Sequence, residues 1–165
     1  YYLSLMGHSV TVYDKLPKLG GMLRYGIPDY RLPQNVLDRD INFILSAGVQ
    51  VRTGVAVGQD VSMADIQKQY DAVYLSIGAS GDKKLGIEGE GSVGVLSAVE
   101  MLRSIGEGRA PDFAGKRVCV IGGGNVSMDA TRTAQRLGAA SVTCVYRRRI
   151  EDMTALSEEI EEAIG

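Results

Sequence analysis

Three consecutive glycines stand where a chain can grip a phosphate. Arg117-Val118-Cys119-Val120-Ile121 is short, apolar and β-branched, and it runs straight into Gly122-Gly123-Gly124-Asn125-Val126-Ser127. The stretch that follows, Met128 to Leu137, lacks glycine and proline and repeats its apolar positions at helical spacing. The pattern predicts a strand buried on both faces, a glycine turn and a helix. A G-x-G-x-x-G/A turn needs its first glycine for the tight bend and its second so that backbone can touch a pyrophosphate. Its third small residue lets helix and strand pack closely. Gly122 and Gly124 take the first two roles, and Ser127, small but neither glycine nor alanine, takes the third. Backbone N–H groups at the helix start, with the helix dipole behind them, then hold the phosphates.

A second strand should follow. Leu137-Gly138-Ala139-Ala140-Ser141 reads as a helix end with a glycine stop, leading into Val142-Thr143-Cys144-Val145-Tyr146 and then Arg147. In a dinucleotide-binding βαβ unit the residue just past this strand meets the adenosine ribose. An acid there bonds the ribose hydroxyls, whereas arginine accommodates a 2′-phosphate. Arg147 and Arg148 offer planar, multi-donor guanidinium groups, and no acid appears until Glu151. NADPH is favoured over NADH. The bland alternative is a solvated basic patch at a strand end.

The same phrase occurs earlier with a different ending. Leu5-Met6-Gly7-His8-Ser9 leads into Val10-Thr11-Val12-Tyr13 and stops on Asp14, an acid suited to an unphosphorylated ribose. This first copy lacks its opening strand and glycine turn. Gly122 precedes Gly138 by sixteen positions, which would place the matching glycine about nine residues upstream of Tyr1. The chain is therefore expected to be a fragment whose N-terminal extension carries G-x-G-x-x-G.

Taken in order, several segments resemble a known family. They are Asp14, the loop Gly20-Gly21-Met22-Leu23-Arg24-Tyr25-Gly26-Ile27-Pro28-Asp29-Tyr30-Arg31-Leu32-Pro33, the run Asp71 to Ala79 read as a strand, the Gly122–Asp129 loop and Tyr146-Arg147-Arg148. The chain resembles, over nearly its whole length, the small (β) subunit of NADPH-dependent glutamate synthase and the flavin module of dihydropyrimidine dehydrogenase. That resemblance implies an FAD domain interrupted by an NADPH domain. Hydride would pass from nicotinamide to flavin, and electrons would leave through iron–sulfur clusters to a larger partner subunit or domain.

Carried over residue by residue, the resemblance gives Asp14 to the FAD ribose. Gly21, Met22 and Leu23 would lie along the flavin with Arg31 nearby, Val55 against the adenine, and Gly78 and Ala79 close to the FAD. Gly122, Gly124, Asn125 and Val126 would hold the NADPH pyrophosphate, with Arg147 and Arg148 on its 2′-phosphate. Ser127 departs from the family's alanine or threonine. Thr154 replaces the proline of a Met-Pro-Ala segment, which leaves the course of that loop open.

The remaining elements are supporting structure. Gln34 to Ala47 reads as an amphipathic helix with Val36, Leu37, Ile41, Ile44 and Leu45 on its buried side, and Gly48 stops it. A short strand at Val49 to Arg52 and helices at Ser62 to Gln69, Ser97 to Ile105 and Ala155 to Ile164 complete the pattern, with Asp60 or Ser62 capping the first of these helices. The Gly20–Pro33 loop reads either as a surface turn cluster or as a functional loop; its apolar content argues against disorder, and burial against a cofactor would satisfy it. The fold class is α/β with two incomplete Rossmann-like units. Residues 1–93 would be part of an FAD domain and 94–165 part of an NADPH domain, with the boundary within Gly89–Val95.

Composition suits a soluble cytoplasmic protein. The formal net charge of −2 argues against nucleic acid as a partner, and no apolar run approaches the length that spans a bilayer. Cys119 and Cys144 lie far from Cys-x-x-Cys spacing and read as core hydrophobes. An iron–sulfur cluster wants four thiolates, so any cluster would be held outside this chain. His8 reads as a surface residue, and nothing marks Asp129 or Glu159 as acids in catalysis. An absent catalytic triad or carboxylate pair suits hydride transfer between cofactors, where protein supplies position and electrostatics. A flavin-free NADPH dehydrogenase and a nucleotide-sensing module are the competing readings, and this chain alone is expected to be inactive.

Overall fold

Both glycine stops adopt a backbone that side chains rarely take, with φ of +91° at Gly7 and +85° at Gly138. Each turns the chain out of a helix and into a parallel strand. The computed structural model describes residues 1–79 and 81–165, which form two compact units. One comprises Tyr1–Arg24 and Asp29–Ala79, the other Tyr25–Pro28 and Ser80–Gly165.

In chain order, the elements that begin the structure are α1 (Tyr2–Leu5), β1 (Thr11–Asp14), α2 (Gly21–Tyr25), α3 (Gln34–Leu45), β2 (Gln50–Thr53) and α4 (Met63–Gln69). Strands β1 and β2 pair in parallel, from Thr11 opposite Gln50 to Asp14 opposite Thr53. Helix α4 is capped by Ser62, whose hydroxyl accepts the Asp65 N–H at 3.1 Å, so Ser62 rather than Asp60 is the cap. Leu37 is the buried residue of α3, and Ile44, placed on the buried side by its spacing, faces solvent instead. The Gly20–Pro33 loop is not structureless, because α2 forms inside it.

The run Asp71–Ala79 is not a strand. It has no ladder partner among the described residues, and Tyr74 and Ile77 are 88% and 89% exposed. A strand exists only through a neighbour about 4.8 Å away that takes its N–H and C=O groups. Apolar, β-branched composition does not create that neighbour.

The second series of elements is α5 (Ala98–Gly106), β3 (Arg117–Ile121), α6 (Asn125–Arg136), β4 (Ser141–Val145) and α7 (Ser157–Ile164). Strands β3 and β4 pair in parallel over five residues, Arg117 opposite Ser141 through Ile121 opposite Val145, with α6 as the crossover. The core forms where α5 and α6 cover one face of this sheet. Met101, Leu102, Phe113, Ala130 and Ala134 are buried there, with Val118, Val120, Leu137 and Val142 packed against them. The two alanines let α6 approach the strands closely.

Within these elements, among the described residues, only that face is covered. Ile121 and Val145 are exposed on the other, and Cys119 is exposed with them, so it is not a core residue. Alternation of side chains along a strand explains the error: a sheet covered on one face buries every second residue, however apolar the run.

Candidate dinucleotide-binding site

The carboxyl ends of β3 and β4 meet at a glycine turn. Gly122 extends the ladder, its N–H donating to the Val145 carbonyl at 2.9 Å. This bond brings Gly122, Gly124, Asn125 and Val126 to the same sheet edge as Arg147 and Arg148. Six of the residues singled out from sequence thus converge.

The turn is tight for a visible reason. A Cβ added to Gly122 would fall 2.3 Å from the Ser127 hydroxyl oxygen, so the third small residue packs directly on the first glycine. Gly124 is the N-cap of α6 and supplies no side-chain oxygen to the first-turn N–H groups. Ser97, by contrast, caps α5 with its own hydroxyl, accepting the Glu100 N–H at 3.2 Å. A glycine-capped helix of 12 residues has donors and a dipole to offer an anion.

Gly123, left without a role by the motif, is buried beneath the Tyr146 ring. Its carbonyl accepts the N–H groups of Thr154 at 2.9 Å and Ala155 at 3.0 Å. Proline at position 154 would lack the first of these donors, so threonine here sets the course of the loop by bonding it to the glycine turn. Asn125 is partly committed as well, since its amide oxygen accepts the Leu156 N–H at 2.9 Å.

The three arginines after β4 part company. Arg149 caps the 3-10 turn Ile150–Asp152, with its Nε 3.8 Å from the Asp152 carboxylate. Arg147 and Arg148 are exposed, and neither has an ion-pair or hydrogen-bond partner for its side chain among the described residues. Two cationic forks therefore stand free beside the glycine turn.

Beneath the turn, the half-buried Cys144 thiol donates to the Gly122 carbonyl at 3.3 Å, and burial pushes its pKa up. Glu159 is structural. It pairs with Arg132 at 2.8 Å with both side chains nearly buried, and Glu162 joins the same guanidinium, tying α7 to α6. Asp129 is buried within α6, and His8 is exposed in the turn before β1.

The other predicted residues lie in the first series of elements. Asp14 ends β1, half-buried, with its Oδ1 accepting the Leu16 N–H at 2.9 Å. Its carbonyl accepts the Val55 N–H at 3.0 Å, so these two residues are joined directly. Gly21, Met22 and Leu23 sit on α2, where Met22 and Leu23 expose apolar surface (41% and 49%). Arg31 is half-buried further along. Gly78 and Ala79 lie on the unpaired run, and no ladder or side-chain hydrogen bond ties them to β1 or α2 among the described residues. Sequence reasoning missed Arg24. It is 5% exposed, donates to the Leu19 carbonyl and to Gln34 Oε1 at 2.7 Å, and pairs with Asp38. Its burial shapes α2, and nothing in the local pattern distinguishes it from a surface arginine.

Comparison with known proteins decides the family. A model described as pyridine nucleotide-disulphide oxidoreductase matches residues 2–165. The chain belongs to that family. It is 41% identical to the NADP(+)-dependent formate dehydrogenase subunit beta of Moorella thermoacetica, over 99% of this chain and 23% of the relative. It is 36% identical to the glutamate synthase [NADPH] small chain of Escherichia coli K12, over 98% of this chain and 36% of that one. The resemblance to the glutamate synthase small subunit therefore holds, and the chain spans about a quarter to a third of the length of these two relatives. Among solved structures, Mycobacterium tuberculosis FprA in complex with NADPH is similar at a TM-score of 0.79 and 25% identity, covering 94% of this chain and 40% of that one. The α/β, Rossmann-like reading stands for this family member. Among the described residues no helix is long and apolar enough to cross a membrane, and no cluster of side chains suits a metal ion.

Proposed function

We propose that the chain is part of a flavin-dependent oxidoreductase that passes hydride from NADPH to FAD and electrons onward to a partner subunit or domain. One observation carries the reading: the glycine-capped start of α6 opens beside two unpartnered guanidinium groups, at the carboxyl end of a parallel βαβ unit. Bound NADPH and FAD would supply hydride donation and acceptance. The chain's own residues bind and orient.

Backbone N–H groups of Asn125 and Val126 would hold the pyrophosphate, close approach being permitted by Gly122 and Gly124. Arg147 and Arg148 hold the 2′-phosphate, with a planar fork matched to phosphate oxygens. At the end of β1, the Asp14 carboxylate keeps one oxygen for a ribose hydroxyl while the other is steadied by the Leu16 N–H. Exposed Met22 and Leu23 would offer apolar surface to the flavin with Arg31 near it, and Val55, Gly78 and Ala79 would also contribute to holding FAD. Residues 1–93 would serve FAD and 94–165 NADPH.

Relatives named as a beta subunit and a small chain support a larger partner that holds the acceptor site. Iron–sulfur clusters would belong to that partner or to other parts of the protein, since Cys119 and Cys144 are too few to ligate one. The reading places the enzyme in the cytoplasm. An absorption spectrum of the full-length protein, followed by anaerobic NADPH, tests it. A flavin band that bleaches with NADPH, and much less readily with NADH, is the expected result. A colourless protein that still binds NADPH would replace it with a flavin-free dehydrogenase or a nucleotide sensor.

A further inference from the structure

Tyr146 is held on two sides. Its ring lies so close to Gly123 that a Cβ there would fall 2.6 to 2.9 Å from three ring carbons. Its hydroxyl donates to the Asp152 carbonyl at 3.0 Å. The cross-link closes the loop that carries Arg147, Arg148 and Arg149. The same loop returns to Gly123 through the Thr154 and Ala155 N–H groups, and its turn is fixed by the Arg149 N–H on the Asp152 carboxylate at 3.3 Å. Both ends of the arginine loop are thus anchored on one glycine of the phosphate turn.

Two exposed arginines on an untethered loop would lose backbone entropy on gripping a ligand. A tether that orders them beforehand removes part of that cost. We propose that Tyr146 is a positioning residue for 2′-phosphate recognition. Its ring fixes the glycine turn, its hydroxyl fixes the arginine loop, and one side chain sets the spacing between the pyrophosphate donors and Arg147 and Arg148. The inference rests on the NADPH reading above and adds to it a residue that touches neither phosphate.

Tyr146→Phe in the full-length protein keeps the ring and removes the tether. NADPH affinity is expected to fall about five-fold, the worth of one net hydrogen bond, while NADH affinity changes less than about two-fold. Limited trypsin digestion of the ligand-free variant should cut after Arg147 or Arg148 faster than in wild type, and NADPH should slow it in both. An unchanged NADPH-to-NADH ratio, or an equal loss for both nucleotides, overturns the proposal. So does a variant that melts well below wild type, which would make the hydroxyl a plain stability contact. Wild-type protein that binds NADH as tightly as NADPH would instead overturn the NADPH reading itself, before any substitution is made.

Discussion

Two strand ends in this chain are built alike and finished differently. Both β1 and β4 follow a helix stopped by a glycine at positive φ, and both pair in parallel with one neighbour. At the first end Asp14 is half-buried and turned back on its own chain through the Leu16 N–H. At the second, Arg147 and Arg148 have no side-chain partner among the described residues, while Arg149 is taken by Asp152. A carboxylate that must present one oxygen to a hydroxyl gains from being steadied. Cationic forks that must close around a phosphate gain from staying unpaired until it arrives. Under the proposed function, the shared scaffold sets position and the local partners set what each end would recognise.

The largest effect should come from removing the difference. Arg147→Ala with Arg148→Ala is expected to weaken NADPH by about 30- to 100-fold, with NADH nearly unchanged, as measured by equilibrium titration of the full-length protein. Equal losses for both nucleotides would break the comparison. Gly123→Ala comes next, because its Cβ meets the Tyr146 ring. It should cost about 1–3 kcal/mol of stability by thermal melting and weaken NADPH more than NADH, because moving the ring shifts the arginine loop against the glycine turn. Glu159→Gln should cost about 1–3 kcal/mol by uncoupling α7 from α6, with Glu162 retaining part of the pair, and should leave the NADPH-to-NADH ratio alone. Asp14→Ala removes one backbone-to-carboxylate bond, costs about 1 kcal/mol, and is expected to loosen FAD rather than NADPH. A melting shift without any change in FAD retention would make Asp14 a turn residue only.

A smaller test separates the two faces of the second sheet. Burial raises the Cys144 pKa, so at a given pH less of it is thiolate, and its access is restricted too. Alkylation at mildly alkaline pH should therefore modify the exposed Cys119 first, with Cys144 catching up only as pH rises further. Cys144 reacting first would mean that the covered face of the sheet is misassigned.

The second unit was largely legible because its signals are local. Glycine turn, helix period and strand run follow each other without a gap, and β3, α6 and β4 formed where that order put them. What failed depended on neighbours distant in sequence. Apolar character made Asp71–Ala79 look like a strand and Cys119 look like core, yet strand pairing and face coverage are properties of the partner surface. Arg24 and Tyr146 went unread for a related reason. Their roles come from Asp38, Gln34, Gly123 and Asp152, and no spacing rule announces such contacts. Among three adjacent arginines, the sequence marks a basic cluster, while the structure separates the one that is used from the two that are free.

The most direct test is a calorimetric titration of the full-length protein with 2′,5′-ADP and, separately, with 5′-AMP, which differ only in the 2′-phosphate. The 2′-phosphate is expected to improve affinity by about ten-fold or more, and Arg147→Ala with Arg148→Ala to abolish the difference. Equal affinity for the two ligands in wild-type protein would contradict it, leaving the arginines as a solvated patch at the end of β4.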